Sequence, residues 1–434
     1  MCYAIPGKIL ELRDNIAVVD YFGEHRNVLN DFTDVQIGDY IYAQGGILVQ
    51  KIPKQDAILI LKEWEERFFQ LKKLDLKISR IKEEVGIEDN KFIKIIEKTR
   101  EGISLKRDEV LRLLKTNDKK ELNLLFKTAN KLRQKHLKNS CCVHGIIEFS
   151  NHCRNDCLYC GIRKSNKKLK RYRMDVDEIV KVASFAVNRL GFKALVLQSG
   201  EDFWYTTEKL IEMIKKIKEK CGVLLFMSIG ERSFDCYKRM YEAGARGVLF
   251  RFETSNPRLY KKLHRGPKLK FQNRIKLLRY MSKLGYIIAT GSLIGLPGQT
   301  EEDLMNDILL TKSLNAEMYS FGPLIPHSET PLANASLENI NTVLKVLAVS
   351  RLIDPKAKIL VTTALETLDK ENGRKLGLLS GANSLMINVT PTKYKNLYSI
   401  YPNKAGNERE IEDDIEKTLN LLYSLGRAPT DLGI

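Results

Sequence analysis

From Ile146 onward the hydrophobic pattern switches repeatedly between two periods. Short apolar or alternating runs give way to stretches with apolar residues three and four apart, and then the short runs return. The β-like runs are IIEFS, ALVLQSG, VLLFMSIG, GVLFRFET, IIATGSLIG, MYSFGPL, AKILVTT and SLMINVT, eight in all. Each of the first seven is followed by a helical stretch. Eight such alternations over about 250 residues predict an α/β fold, the (β/α)8 TIM barrel, whose reactive groups gather at the carboxyl ends of its strands.

Two other patterns precede the barrel. Up to about Phe68, β-rich runs at 16–20, 40–42 and 47–52 alternate with turn signals at Pro6-Gly7, Gly23 and Gly45-Gly46, which predicts a small β-barrel. From Ala57 to about Asn139 charged residues separate apolar ones at helical spacing. Within that stretch, Asp118 with Glu121 three positions on predicts a helix start, because the two carboxylates can satisfy free backbone amides. The expected organisation is a small β-barrel at 1–68, a helical connector with the first barrel helices at 69–140, the large barrel at 141–405 and a C-terminal helix at 406–434.

Composition narrows the class. The 434 residues, 43% of them apolar, are enough for a sizeable core in more than one domain. No apolar run approaches the roughly 18 residues of a membrane span. The start reaches Pro6-Gly7 and then charges before an apolar stretch of signal-peptide length forms. Of eight cysteines, three are clustered and the rest scattered, unlike a secreted disulfide framework, so a cytoplasmic protein is expected.

The polar residues Ser199, Gly200, Glu201, Glu231, Arg232, Arg251, Glu253, Ser292, His327, Thr362 and Thr363 fall at or just past the predicted strand ends. That is where a barrel places its chemistry, although loop residues that merely cap helices would fall there too. Directly after the first run comes Cys153-Arg-Asn-Asp-Cys157-Leu-Tyr-Cys160. This CxxxCxxC spacing lets three thiolates converge from one loop. Three thiolates on a [4Fe-4S] cluster leave one iron open for S-adenosyl-L-methionine, whose reductive cleavage releases a 5′-deoxyadenosyl radical. The alternative is a structural zinc site, which takes four ligands, with His152 or Cys142 as the fourth.

The triad and its surroundings resemble the radical S-adenosylmethionine (radical SAM) enzymes, in which an aromatic residue at the position of Tyr159 packs near the adenine. The runs LQSGED, SIGERS, RFETSNPRLYKKLH, GLPGQT, FGPLIPHSETPL and TPTKYKNLYSIYPNK extend that resemblance, in order, to the HydE family of [FeFe]-hydrogenase maturases over roughly 105–404. The resemblance implies that Gln198, Ser199, Gly200 and Glu201 hold the methionyl end, the last suited to an amine cation. It implies that Glu253 and Arg274 orient the adenosyl and methionyl parts, and that Arg251, Thr362 and Thr363, with Tyr398 and Tyr401 nearby, bind a carboxylate-bearing substrate. For Arg251, one pleat from Glu253, an internal ion pair with Glu253 is the alternative. The implied substrate is a cysteine-bound Fe(CO)2(CN) synthon, and the implied partners are HydG- and HydF-like maturation proteins. Some family members carry further cysteines after the YPNK motif, but here none follows Cys236, so one [4Fe-4S] cluster is expected. Cys141, Cys142, Cys221 and Cys236 read as packing residues.

The amino-terminal runs MCYAIPGKI, VVDYFGEHRNV and VQIGDYIYAQGGILVQKI resemble a second family, the HypC-type (HypC/HupF) hydrogenase-maturation chaperones. In that family a cysteine at position two works with a loop histidine. This chain keeps Cys2 but has Gln44 where the histidine stands. Cys2 is therefore a possible iron carrier, and a docking module or a plain packing domain are the other readings.

Charge adds a competing class. The formal net charge is +18, and the run from Arg163 to Arg173 holds seven basic residues and no acidic one, which raises nucleic-acid binding. Its single aromatic, Tyr172, leaves it without interleaved stacking residues. A basic rim beside the cysteine loop equally suits the carboxylate of S-adenosylmethionine or an acidic protein partner. Methylornithine synthase and biotin synthase share the triad and are the runner-up enzymes, and an iron-synthon carrier or docking chaperone is the reading from outside enzymology. No dinucleotide or phosphate-loop fingerprint occurs.

Overall fold

The computed structural model describes residues 5–31, 34–81, 86–265 and 270–430. Positive-φ residues at Asp14, at Phe22 and Gly23, and at Gly45 and Gly46 make the tight turns that fold the amino-terminal piece. Its strands are β1 (Gly7–Arg13), β2 (Ile16–Tyr21), β3 (Glu24–Leu29), β4 (Tyr40–Gln44) and β5 (Ile47–Ile52), closed in the order β1-β2-β3-β5-β4. The inward residues of the pleat, among them Ile9, Val19, Val28, Ile41, Ala43 and Leu48, share a core with Trp64, Phe68 and Leu71. Those three lie on one face of a 25-residue helix, Lys54–Ile78, which runs from the small barrel into the helical connector. Near its end the buried Asp75 accepts from Arg133 at 2.7 and 2.8 Å and pairs with Arg427 at 3.2 Å, so one carboxylate bolts three parts of the chain together.

Three helices, Asn90–Glu101, Arg107–Lys115 and Lys119–Leu137, lead to the large barrel. Asp118 caps the last as expected, accepting from the amides of Lys120 and Glu121. Glu121 does not return to the cap. Its carboxylate is taken by Arg112 at 2.6 Å and by the Thr116 hydroxyl, and a charged partner outcompetes a backbone amide.

The eight expected strands all form: β6 (Cys142–Ser150), β7 (Ala194–Ser199), β8 (Leu224–Ser228), β9 (Gly247–Leu249), β10 (Ile287–Thr290), β11 (Met318–Tyr319), β12 (Lys358–Ile359) and β13 (Ser384–Asn388). Neighbours pair in parallel in the order β12-β11-β10-β9-β8-β7-β6-β13. A parallel bridge between Leu360 and Ser384, with the Val361 amide donating to the Ser384 carbonyl at 2.9 Å, joins the two ends of the sheet. Helices between strands cover the outside, and their apolar faces share one core with the strands. Among the described residues, no helix is long and apolar enough to cross a membrane.

The β4–β5 hairpin faces two ways. Ile41, Ala43 and Leu48 point into the small barrel, while the alternate residues Tyr42, Ile47 and Val49 pack on Ala194, Leu224, Ile287 and Met318, the first residues of four large-barrel strands. The small barrel thus stoppers the amino end of the large one. At the hairpin tip Gly45 has a φ of +61°, which strains any L side chain, and a Cβ there would stand 3.1 Å from both Ile287 and Leu224, which would have to give by a few tenths of an ångström. Arg246 and Asp31, paired at 3.0 Å, brace the edge of this contact.

Candidate active site

Period-two alternation aims a ladder of side chains into the large barrel. Ile146 and Glu148 on β6, Gln198 on β7, Ser228 on β8, Leu249, Arg251 and Glu253 along β9 and its extension, and Met386 and Asn388 on β13 all line one cavity of about 310 Å³. The cysteine loop closes its upper end. Every site residue expected from the sequence lines this cavity except Cys2: Cys153, Cys157, Cys160, Tyr159, Gln198, Ser199, Gly200, Glu201, Arg251, Glu253, Arg274, Thr362, Thr363, Tyr398 and Tyr401. Cys2 lies outside the described residues. Of the other strand-end residues, Glu231 stands behind the wall and binds Arg274 at 3.2 Å, and His327 meets Ser399 at 3.2 Å.

The cysteine loop is held by polar anchors. Asp156 accepts from the side chains of Arg163 and Ser165, both at 2.7 Å, which holds its carboxyl well below the usual range despite the opposing effect of burial. Arg171 donates to the carbonyls of Asn151, Ile162, Arg163 and Asn166. Gly200 makes the fit possible, since a Cβ there would come 2.3 Å from the His152 carbonyl and 2.9 Å from the Cys153 Cβ.

Burial pushes all three thiols up, Cys160 to about 12, and repulsion from neighbouring thiolates adds to the shift at Cys157 and Cys160. Three such thiolates are stable together only around a cationic centre. Cys153, Cys157 and Cys160, three thiolates from one loop, all line the one cavity. Such a donor set fits a [4Fe-4S] cluster and leaves one of its irons without a protein ligand.

The rest of the upper cavity suits a nucleoside-bearing ammonium carboxylate. Tyr159 bonds His264 Nε2 at 2.8 Å, and His264 Nδ1 bonds the Tyr260 carbonyl at 3.0 Å. Burial pulls His264 down to about 3, so it is a neutral prop that fixes the tyrosine ring. Glu201 accepts from Arg154 at 3.0 Å and from the Glu231 amide at 2.9 Å, so an incoming amine would share an already oriented carboxylate. Arg274 donates to the Arg251 carbonyl at 2.6 Å and lies 4.0 Å over the Phe250 ring. The Arg251–Glu253 ion pair is present at 3.2 Å, yet Glu253 Oε2 is buried without an aligned hydrogen bond, leaving an acceptor for a ligand hydroxyl.

Lower in the cavity is a group the sequence reading passed over. Glu148 is paired with Lys404 and accepts from Asn388 at 2.9 Å, with Gln198 at 3.5 Å and Ser228 bonded in turn to Gln198 at 3.1 Å. A lone acid at an inward position of the apolar run IIEFS was the available signal. Thr362 accepts from the Leu365 amide at 3.4 Å, so it caps a short helix as well as lining the cavity. At the opposite end of the barrel, Gln44 is 2% exposed and lies 3.4 Å from His144 Nε2 on β6.

Comparison with known proteins agrees with this geometry. The Radical SAM superfamily model matches residues 147–310, the HupF/HypC family model residues 1–64, and the Biotin and Thiamin Synthesis associated domain residues 320–426. The chain is 42% identical to the [FeFe] hydrogenase maturase subunit HydE of Thermotoga maritima, over 74% of this chain and 91% of that protein. It is 29% identical to a 3-methylornithine synthase of Methanosarcina acetivorans, over 77% of this chain and 93% of that one. Among solved structures, methylornithine synthase superposes with a TM-score of 0.68 at 26% identity, covering 78% of this chain and 97% of that one. The maturase HydG of Carboxydothermus hydrogenoformans shares the fold, with a TM-score of 0.65 at 20% identity, covering 82% of this chain and 83% of that one.

Proposed function

The chain belongs to the HydE family of [FeFe]-hydrogenase maturases, radical SAM enzymes with a [4Fe-4S] cluster, and we propose that its substrate is a cysteine-bound Fe(CO)2(CN) synthon held in the lower part of the barrel cavity. The observation that carries this reading is the convergence of the cysteine triad, the strand-end polar residues and the Arg251, Thr362 and Thr363 group on one cavity.

When bound, the cluster and S-adenosylmethionine supply a 5′-deoxyadenosyl radical. The chain's own residues do the positioning. Cys153, Cys157 and Cys160 hold the cluster, and Tyr159 on its His264 prop flanks the adenine. Ser199, Gly200 and Glu201 take the methionyl amine, Gln198 borders it, and Arg274 faces the carboxylate as a guanidinium matched to it. Glu253 accepts from a sugar hydroxyl. Arg251 turns from Glu253 toward the cysteine carboxylate of the substrate, with Thr362 and Thr363 beside it and Tyr398 and Tyr401 closing the wall. HydG- and HydF-like proteins would supply the synthon and receive the product.

The small barrel reads best as a docking element. Its hairpin is committed to the amino end of the large barrel, opposite the cysteine loop, and Gln44 has no imidazole to offer a metal. Incubating the reconstituted protein with S-adenosylmethionine, a reductant and a synthetic cysteine–Fe(CO)2(CN) complex tests the substrate. Formation of 5′-deoxyadenosine that rises with the complex and consumes it supports the reading. Stimulation by an iron-free amino acid alone would move the assignment to the methylornithine synthase side of the family.

A further inference from the structure

The basic run beside the cysteine loop divides into two sets. Arg163 pairs with Asp156, Lys168 with Glu329 and Arg173 with Asp202, while Arg171 is spent on backbone carbonyls. Lys164, Lys167 and Lys170 are exposed, and none has a carboxylate partner among the described residues. Lys164 and Lys167 line a second cleft, of about 390 Å³, on the outer side of the loop. Its two acids, Glu201 and Asp202, are neutralised by Arg154 and Arg173.

Phe203 lines the same cleft, and it and the adjacent Trp204 are exposed, at 50% and 41%. The guanidinium groups of Arg154 and Arg232 lie 4.1 and 4.2 Å from the Phe203 centroid. Lys209 lies 3.2 Å over the Trp204 ring. The rings are stiff anchors ringed by cations, which suits an acidic protein surface.

Cys153 lines both this cleft and the main cavity. The main cavity is committed to S-adenosylmethionine and substrate, whereas the cleft reaches the cluster loop from outside. We propose that the cleft lined by Lys164, Lys167 and Phe203, with the exposed Trp204 next along the chain, docks the electron donor, a small acidic protein carrying a low-potential flavin or iron–sulfur centre. The inference rests on the radical SAM assignment, because each reductive cleavage consumes one electron that the chain's residues cannot supply. One electron leaves the donor's reduced centre, which is oxidised by one, and enters the cluster beside Cys153, which is reduced by one. No bond to the chain forms or breaks.

The test uses the full reconstituted chain, an acidic two-cluster bacterial ferredoxin, and the variant K164E/K167E/K170E. The wild type should bind oxidised ferredoxin with an affinity that weakens as salt rises, and the variant should bind about tenfold or more weakly. Cleavage of S-adenosylmethionine driven by reduced ferredoxin should slow to a similar degree in the variant, while cleavage driven by dithionite stays unchanged. The doubly substituted F203A/W204A should weaken ferredoxin binding with less change in salt dependence. Equal ferredoxin affinity in the wild type and the lysine variant would overturn the proposal. So would tight binding of a random oligonucleotide that the variant loses while its ferredoxin-driven rate is kept, or equal loss of the ferredoxin- and dithionite-driven rates, which would make the lysines supports of the loop. Absence of dithionite-driven cleavage in the wild type would instead overturn the radical assignment itself.

Discussion

Arg251 and Glu253, two residues apart on one inward face, are ion-paired at 3.2 Å in the cavity wall. Glu253 holds this position with φ at +71°, a left-handed conformation that a glutamate adopts only when its surroundings hold it there. Both line the main cavity, so each residue has an internal partner until a ligand competes for it.

Arg251→Ala should therefore separate the two halves of the reaction. Reductive cleavage without substrate is expected to fall by less than about threefold, while substrate-coupled turnover falls by about tenfold or more, the scale of a lost charge-assisted hydrogen bond. Chromatographic 5′-deoxyadenosine yields with and without the iron synthon measure both. Equal loss of the two would make Arg251 a scaffold residue.

The Glu148–Lys404 pair gives a different signature. Lys404→Met leaves Glu148 buried without its cation and should cost about 3–5 kcal/mol of stability, whereas E148Q/K404M should recover much of that loss because no charge is left unpaired. Thermal unfolding of the three proteins under identical buffer gives the comparison. Recovery of stability without recovery of substrate coupling would identify the pair as part of the substrate's floor.

How far the sequence carried is visible in these residues. The eight strands were legible because apolar runs recur with helical stretches between them, even where the ladder shortens to the two residues Met318–Tyr319 or Lys358–Ile359. The cysteine triad was legible from its spacing, and the shared inward face of Arg251 and Glu253 from the pleat, while the roles of those two came from the family resemblance. The Glu148–Lys404 pair was not, because its partners are 256 residues apart and the pairing depends on barrel closure. The docked hairpin was also hidden. Tyr42, Ile47 and Val49 are apolar like Ile41, Ala43 and Leu48, and a strand buried on both faces gives no alternation to read.

Asp75 is expected to govern the joint between the two barrels. Asp75→Ala leaves Arg133 and Arg427 buried and facing each other without their carboxylate, at a cost of about 3–5 kcal/mol. Calorimetry should show a lowered transition, and limited proteolysis should cut first near the end of the Lys54–Ile78 helix. An unchanged transition would mean that the bolt contributes nothing net.

His264 sets an acid-side limit on the stability of the cluster-free protein. Its folded pKa, about 3, lies below the ordinary histidine value near 6.5, so the unfolded chain binds the extra proton between those values. Stability due to this residue is complete above pH 6.5 and is lost as pH falls toward 3, at up to about 1.4 kcal/mol per pH unit. Denaturation midpoints measured across that range should slope less steeply in His264→Gln by about one proton, and identical slopes would contradict the neutral-prop assignment.

The most direct test of the whole account is anaerobic. The protein is reconstituted with iron and sulfide, its metal content is measured, and 5′-deoxyadenosine is quantified after reduction and addition of S-adenosylmethionine, for the wild type and for Cys157→Ala. About four irons per wild-type chain, reductive formation of 5′-deoxyadenosine, and loss of both in the variant are expected. One tightly held zinc with no 5′-deoxyadenosine, or cleavage that survives Cys157→Ala, would contradict this.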